Sequence, residues 1–118
     1  MALCDKIRAV QHWDLNAIDA PRGTRDAYVV HQDEGARAVL VVLEPGQALG
    51  DHQVKENAWV VIVDGSVQVS AGSESVELGP GALLRFDPGE RHALASTGGA
   101  RVLMVLTPWP GAGHYAAT

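Results

Sequence analysis

Two histidines and one glutamate are the side chains whose types and spacing could carry chemistry in this chain: His52, His92 and Glu56. A neutral imidazole binds divalent metal ions and also acts as a general base near neutral pH. Glu56 follows His52 by four residues, so on a regular strand both side chains would point to the same face. Together the three would form a two-histidine, one-carboxylate set, the type that holds non-haem iron. They are therefore the predicted metal ligands.

The residues around His52 resemble the first sequence motif of the cupin family. That motif runs from a glycine, through five residues, to a His-x-His pair, a glutamate and a closing glycine. Here Gly46 is followed after five residues by His52, and Gly65 closes the segment. The pair Asp64-Gly65 also predicts a hairpin turn at this point. The first histidine and both glycines therefore lie in the register of the family motif.

A second segment resembles the other cupin motif, which runs from a glycine through Pro-x-Gly to a histidine and an asparagine. Gly81 opens this segment, and Gly89 and His92 lie in its register. Ser96 takes the place of the asparagine, and Asp87 takes the place of the proline. Two such motifs in the correct order make the chain similar to small single-domain cupins.

The resemblance implies an all-β fold, the cupin-type double-stranded β-helix or jelly-roll barrel, whose interior can hold one small ligand. In cupins that bind a metal, the ligands are three histidines and one glutamate that point into the barrel. Mapped onto this chain, those positions are His52, Val54, Ala58 and His92. Because valine and alanine have no lone pairs, the two histidines alone would hold a divalent ion such as iron, zinc, manganese or nickel only weakly.

The same mapping predicts a ligand-binding pocket inside the barrel, lined by His52, Val54, Ala58, Trp59 and His92. The indole of Trp59 could stack on a planar ligand, although its place in a strongly apolar strand also suits packing in the core or in an interface. Small cupins often pair through a sheet edge. The resemblance therefore also implies a homodimer that binds a small-molecule ligand.

Three functions are compatible with these residues. The first is a barrel that binds a small molecule in its interior, with or without a weakly held divalent metal ion. The second is a metal-dependent, dioxygenase-like oxidoreductase that uses His52 and His92. The third is a metal-free isomerase or lyase in which a histidine is the general base. The apolar residues at two metal-ligand positions favour the first.

Composition excludes several other classes. The chain has 118 residues, 47% hydrophobic and 19% charged, which suits one domain with a single core. We expect one cupin domain over 1–118, with N-terminal strands within 1–45, both motifs within 46–96 and a C-terminal tail over 107–118. The net charge of −5 argues against binding to nucleic acid or to an anionic membrane. With one cysteine, no signal peptide and no long apolar run, we expect a cytoplasmic protein without an intrachain disulfide.

Short β-branched segments separated by turn residues predict about nine strands. These segments cover residues 27–31, 36–43, 48–54, 58–63, 66–71, 75–78, 82–86, 91–95 and 100–106. In the segment 82–86, alternation places Leu84 and Phe86 on the face opposite Leu83 and Arg85. The whole pattern favours an all-β sandwich or barrel.

Overall fold

A computed structural model describes residues 10–21 and 23–111, apart from the side chains of 23–26 and 50–52. Nine β-strands make up more than half of these residues. The strands are β1 Gly23–Asp33, β2 Ala36–Leu43, β3 Ala48–His52, β4 Asn57–Gly65, β5 Val67–Ala71, β6 Glu74–Leu78, β7 Leu83–Phe86, β8 His92–Ala95 and β9 Ala100–Thr107. Within this part of the chain no helix is long and apolar enough to cross a bilayer.

The described strands form two antiparallel sheets. One sheet has five strands in the order β1-β2-β9-β4-β7, and the other has four in the order β3-β8-β5-β6. Most neighbours in each sheet are distant in sequence, which is the connectivity of a jelly roll. The all-β prediction is therefore confirmed.

Apolar side chains from alternate positions of the strands fill the space between the two sheets. In β4, Ala58, Val60 and Ile62 are buried, whereas Trp59 between them is exposed. The other inner-face side chains of this core include Val39, Val41, Leu43, Val67, Val69, Phe86, Leu94, Val102, Met104 and Leu106. Because successive strand side chains point to opposite faces, each strand contributes one apolar row to this core.

A second, smaller cluster lies on the outer face of the five-stranded sheet. It consists of Ile18, Ala20, Val30, Leu40 and Val42. Arg101 of β9 holds the segment that precedes β1. Its Nε donates to the carbonyl of Leu15 at 2.9 Å, and its Nη2 donates to the carbonyl of Ile18. This cover explains why the second half of β2 is a continuous apolar run, since residues 39–43 are buried on both faces of the sheet.

The predicted hairpin at Asp64-Gly65 is wrong. Strand β4 pairs with β7 and β9, whereas β5 pairs with β6 and β8, so the chain passes from one sheet to the other at this point. Gly65 makes the crossing with a φ of 77° and packs directly on the backbone at Gly99. Two-residue hairpins lie instead at Glu34-Gly35, where Asp33 pairs with Ala36, and at Gly72-Ser73, where Ala71 pairs with Glu74.

Candidate functional site

His92 opens β8 on the inner face of the four-stranded sheet, and only 1% of its surface is exposed. Its ring stacks on Phe86 of the five-stranded sheet, with the ring centroids 3.9 Å apart and the planes 4° from parallel. The stack crosses the space between the two sheets. It therefore fixes the plane of an imidazole that lies inside the core.

The backbone next to His92 determines which ring nitrogen carries the proton. Nδ1 lies 3.1 Å from the carbonyl oxygen of Glu90. Because a carbonyl oxygen only accepts hydrogen bonds, Nδ1 is the donor, and the neutral ring then has its lone pair on Nε2. Nε2 is thus the atom of His92 that could accept a proton, a hydrogen bond or a metal ion. No motif in the sequence marks Phe86 or Glu90 as a positioning residue, although Phe86 is the one phenylalanine of the chain.

The backbone brings the second predicted histidine to the same place. His52 ends β3, and its Cα is the cross-strand partner of the Cα of His92 after an irregularity that follows Leu49. The side chain of His52 lies outside the described part of the structure. Two positions that are far apart in the sequence are therefore neighbours in one sheet.

Glu56 is fully buried, at the corner between β3 and β4. Its Oε2 accepts the backbone N–H of Gly111 at 2.7 Å. The predicted strand 48–54 ends earlier, at His52, so the simple alternation from His52 to Glu56 does not apply. Glu56 instead precedes the inner-face residue Ala58 by two positions. It is thus a buried carboxylate rather than a solvated corner residue.

The two remaining metal-ligand positions of the resemblance lie in apolar surroundings. Ala58 is buried in the main core, opposite Phe86 in β7 and Leu106 in β9. Val54 is partly buried and packs against the same core, and its carbonyl accepts the N–H of Gly89 at 2.7 Å. Both positions therefore face the interior, as the motif register predicts, but they offer no ligand atoms.

Comparison with known proteins agrees with this geometry. The sequence model of the cupin domain matches residues 39–107, which is more than half of the chain. The chain belongs to the cupin family. No curated protein matches the sequence of this cupin at a significant level.

Solved structures share the fold of this cupin over most of its length. TT1209 from Thermus thermophilus is 28% identical, with a TM-score of 0.70 over 84% of this chain and 98% of that one. An RmlC-like cupin from Desulfovibrio desulfuricans is 21% identical, with a TM-score of 0.72 over 86% and 98%. A protein with a double-stranded β-helix domain from Klebsiella pneumoniae is 16% identical, with a TM-score of 0.74 over 87% and 94%. These likenesses confirm the jelly-roll prediction.

The four-ligand metal set of the resemblance does not fit this cupin, because Val54 and Ala58 supply no lone pairs. Among the side chains that the structure describes, no three of histidine, cysteine, aspartate and glutamate are grouped so that they could hold a metal ion. His52 is outside that set of side chains. The smaller set of His52, His92 and Glu56 therefore stays a prediction.

Trp59 does not line the interior of this cupin, so its place in the predicted pocket is wrong. It lies between the buried residues Ala58 and Val60, and alternation turns it to the outer face, where 40% of its surface is exposed. The guanidinium of Arg85 lies over its ring at 5.7 Å and also contacts Asp87 at 2.7 Å. Arg85 lies on the face opposite Leu84 and Phe86, as the alternation of this segment predicts.

The segment after β9 closes over Glu56. Trp109 is buried against the core, and the guanidinium of Arg37 lies 4.6 Å from the centre of its ring. Two residues further on, Gly111 lies so close to the corner that a Cβ at this position would be 2.7 Å from the carbonyl oxygen of Lys55. Because every residue except proline has a backbone N–H, no residue type in the sequence indicates which N–H contacts Glu56. The contact between Gly111 and Glu56 could therefore not be predicted from the sequence.

Proposed function

We propose that this cupin binds a small organic molecule in the barrel interior, beside His92. The proposal rests on the fixed orientation of His92. Its ring stacks on Phe86, and its Nδ1–H donates to the carbonyl of Glu90. A fixed polar atom among apolar side chains is the kind of group that orients a ligand in an interior site. The surrounding core side chains, among them Ala58 and Leu94, are apolar, so the ligand should have a mainly apolar body.

A metal-assisted form of this function is the second candidate. It is favoured by the full burial of the Glu56 carboxylate and by the pairing of the His52 and His92 backbones. Two histidines and a carboxylate would hold iron, zinc, manganese or nickel more weakly than a four-ligand set. A dioxygenase-like reaction would need this metal, whereas an isomerase or lyase reaction would need only a histidine base.

The test of the small-molecule proposal is native mass spectrometry of the purified protein. We expect a small organic molecule on the wild-type protein and a loss of about tenfold or more in its occupancy in His92→Leu, because the imidazole that orients the molecule is gone. His31→Leu is the matched control, since His31 is an exposed histidine on β1. Equal retention of the molecule by His92→Leu and the wild-type protein would contradict an interior site at His92.

Elemental analysis of the same samples tests the metal. Glu56→Ala would leave the N–H of Gly111 without its acceptor, so Glu56→Gln is the cleaner variant because its amide oxygen can still accept that N–H. We expect substoichiometric metal in the wild-type protein and about tenfold less in Glu56→Gln. Metal content that does not respond to Glu56→Gln would rule out the three-residue set while leaving the small-molecule proposal intact.

We also propose that this cupin acts in the cytoplasm as a homodimer, with a second copy covering the outer face of β4 and β7. Trp59 and Leu83 are exposed there on neighbouring strands, and β7 is an edge strand. A two-fold contact pairs such a patch with itself.

We expect Leu83→Glu to shift the sedimentation equilibrium from dimer to monomer. Val10→Glu, which alters an exposed valine elsewhere, should leave the dimer intact, and a dimer that survives Leu83→Glu would refute this face.

A further inference from the structure

An open cleft lies between the edges of the two sheets, and two of its lining residues, Phe86 and Glu90, also contact His92. Strand β6 is the last strand of the four-stranded sheet, and β7 is the last strand of the five-stranded sheet. The cleft between them, called the edge cleft below, has a volume of ≈ 220 Å³ and is lined by residues of β5, β6 and β7 together with Glu90. It is a slot that leads from the surface to the core.

The floor of the edge cleft is part of the hydrophobic core. Val69 and Val76 are cross-strand partners and point to the same inner face. Val69 is buried, but 49% of the surface of Val76 is exposed, so the facing sheet leaves this end of the floor open. Leu84 and Phe86 form the opposite wall. An apolar inner-face surface thus remains open to water, which favours an apolar occupant.

Phe86 separates the edge cleft from the interior site. One face of its ring is covered by His92 at 3.9 Å, so the cleft contacts the remaining face or the edge of the ring. A molecule in the cleft would therefore pack on the part of Phe86 that His92 does not cover. The edge cleft thus borders the proposed interior site and shares Phe86 with it.

The rim of the edge cleft carries an excess of negative charge. Glu74 and Glu90 are exposed and line the opening, and Oε1 of Glu90 also accepts the N–H of Asp87 at 2.9 Å. The cation among the described lining residues, Arg85, is already engaged by Asp87 at 2.7 Å and by the Oδ1 of Asn57 at 2.6 Å. Two carboxylates beside an apolar floor complement a molecule that joins an apolar group to a cationic one.

We propose that the edge cleft binds a small amphipathic amine. Its apolar group packs on Val69, Val76 and Phe86, and its ammonium group lies at the rim near Glu74 and Glu90. The volume suits one ring with a short chain, and the open mouth lets the charged end stay partly hydrated. This assigns a second ligand site to the barrel, with a ligand class set by the charge of its rim.

The probe for this proposal is 2-phenylethylammonium, compared with 3-phenylpropionate and 2-phenylethanol, which carry the opposite charge and no charge. In NMR titrations we expect the amine to bind in the millimolar range and to shift the amide signals of β6 and β7. The carboxylate should bind at least about tenfold more weakly, because the rim repels it. Added salt should weaken the binding of the amine and not that of the alcohol.

Two substitutions locate the charge that the amine recognises. Glu74→Gln should weaken binding of the amine about three- to fivefold and leave binding of the alcohol unchanged. Glu77→Gln is the matched control, because Glu77 pairs with Gln68 and alternates to the other face of the same strand. Val76→Trp should fill the floor and abolish binding of both molecules.

Three results would overturn the proposal: equal affinity for the amine and the carboxylate, equal effects of Glu74→Gln and Glu77→Gln, or shifted signals away from β6 and β7. Each can be read even if Val76→Trp fails to fold, since both glutamine substitutions lie on exposed positions. Glu74→Gln also separates this site from the interior one, because Glu74 lines only the edge cleft. It should weaken binding of the amine and leave the molecule beside His92 in place.

Discussion

Val54→His combined with Ala58→Glu is expected to tighten binding of zinc by about three orders of magnitude, or ~4 kcal/mol. The two substitutions add an imidazole and a carboxylate to a barrel that already has His92 on its inner face and His52 as its neighbour in the β3–β8 register. Val54 and Ala58 both pack against the main core, so the new side chains start from inward-facing positions. A competition titration with a fluorescent zinc chelator measures the change.

The same double variant should be less stable than the wild-type protein when no metal is present. Ala58 is 1% exposed and lies opposite Phe86 and Leu106, so the Ala58→Glu substitution places a carboxylate among apolar side chains. Zinc should restore the Tm, because the metal neutralises that charge and binds only the folded state. Trp59→Glu in place of Ala58→Glu is the matched control, since Trp59 faces outward. A folded double variant that takes up no more zinc than the control would show that the motif register is wrong.

Gly65→Ala is expected to lower the free energy of unfolding by about 3 kcal/mol or more. Two causes act together at this position. The φ of 77° lies in the left-handed region, which disfavours any residue with a Cβ. The added Cβ would also lie 2.1 Å from the carbonyl oxygen of Gly99, so the backbone of the β4–β9 pair must move. Urea denaturation measures the loss as a lower midpoint at an unchanged m-value.

Gly72→Ala separates these two causes. Gly72 has a φ of 61°, close to that of Gly65, but a Cβ there would meet no atom within 4 Å. This variant should therefore lose only about 1 kcal/mol, the cost of the left-handed conformation. Similar losses for Gly65→Ala and Gly72→Ala would show that the crossing between the sheets tolerates a side chain. Close packing against Gly99 would then not explain the glycine of the motif.

Local patterns were enough to predict the strands and the register of the two motifs. Period-two alternation in short β-branched segments predicted boundaries within a few residues for β2 and β4 to β9, because that alternation depends only on which neighbours along the chain are apolar. The same parity correctly put Leu84 and Phe86 opposite Leu83 and Arg85. The motif register also placed Val54 and Ala58 at interior positions and identified His92 as a candidate.

Only the tertiary structure decided how these elements meet. The turn at Gly65 connects two different sheets and is not the predicted hairpin, because long-range packing, and not the turn alone, determines which strands pair. The tertiary structure also stacked His92 on Phe86 from the other sheet and buried Glu56 under the N–H of Gly111. Those contacts join residues up to 55 positions apart, and no local pattern encodes them.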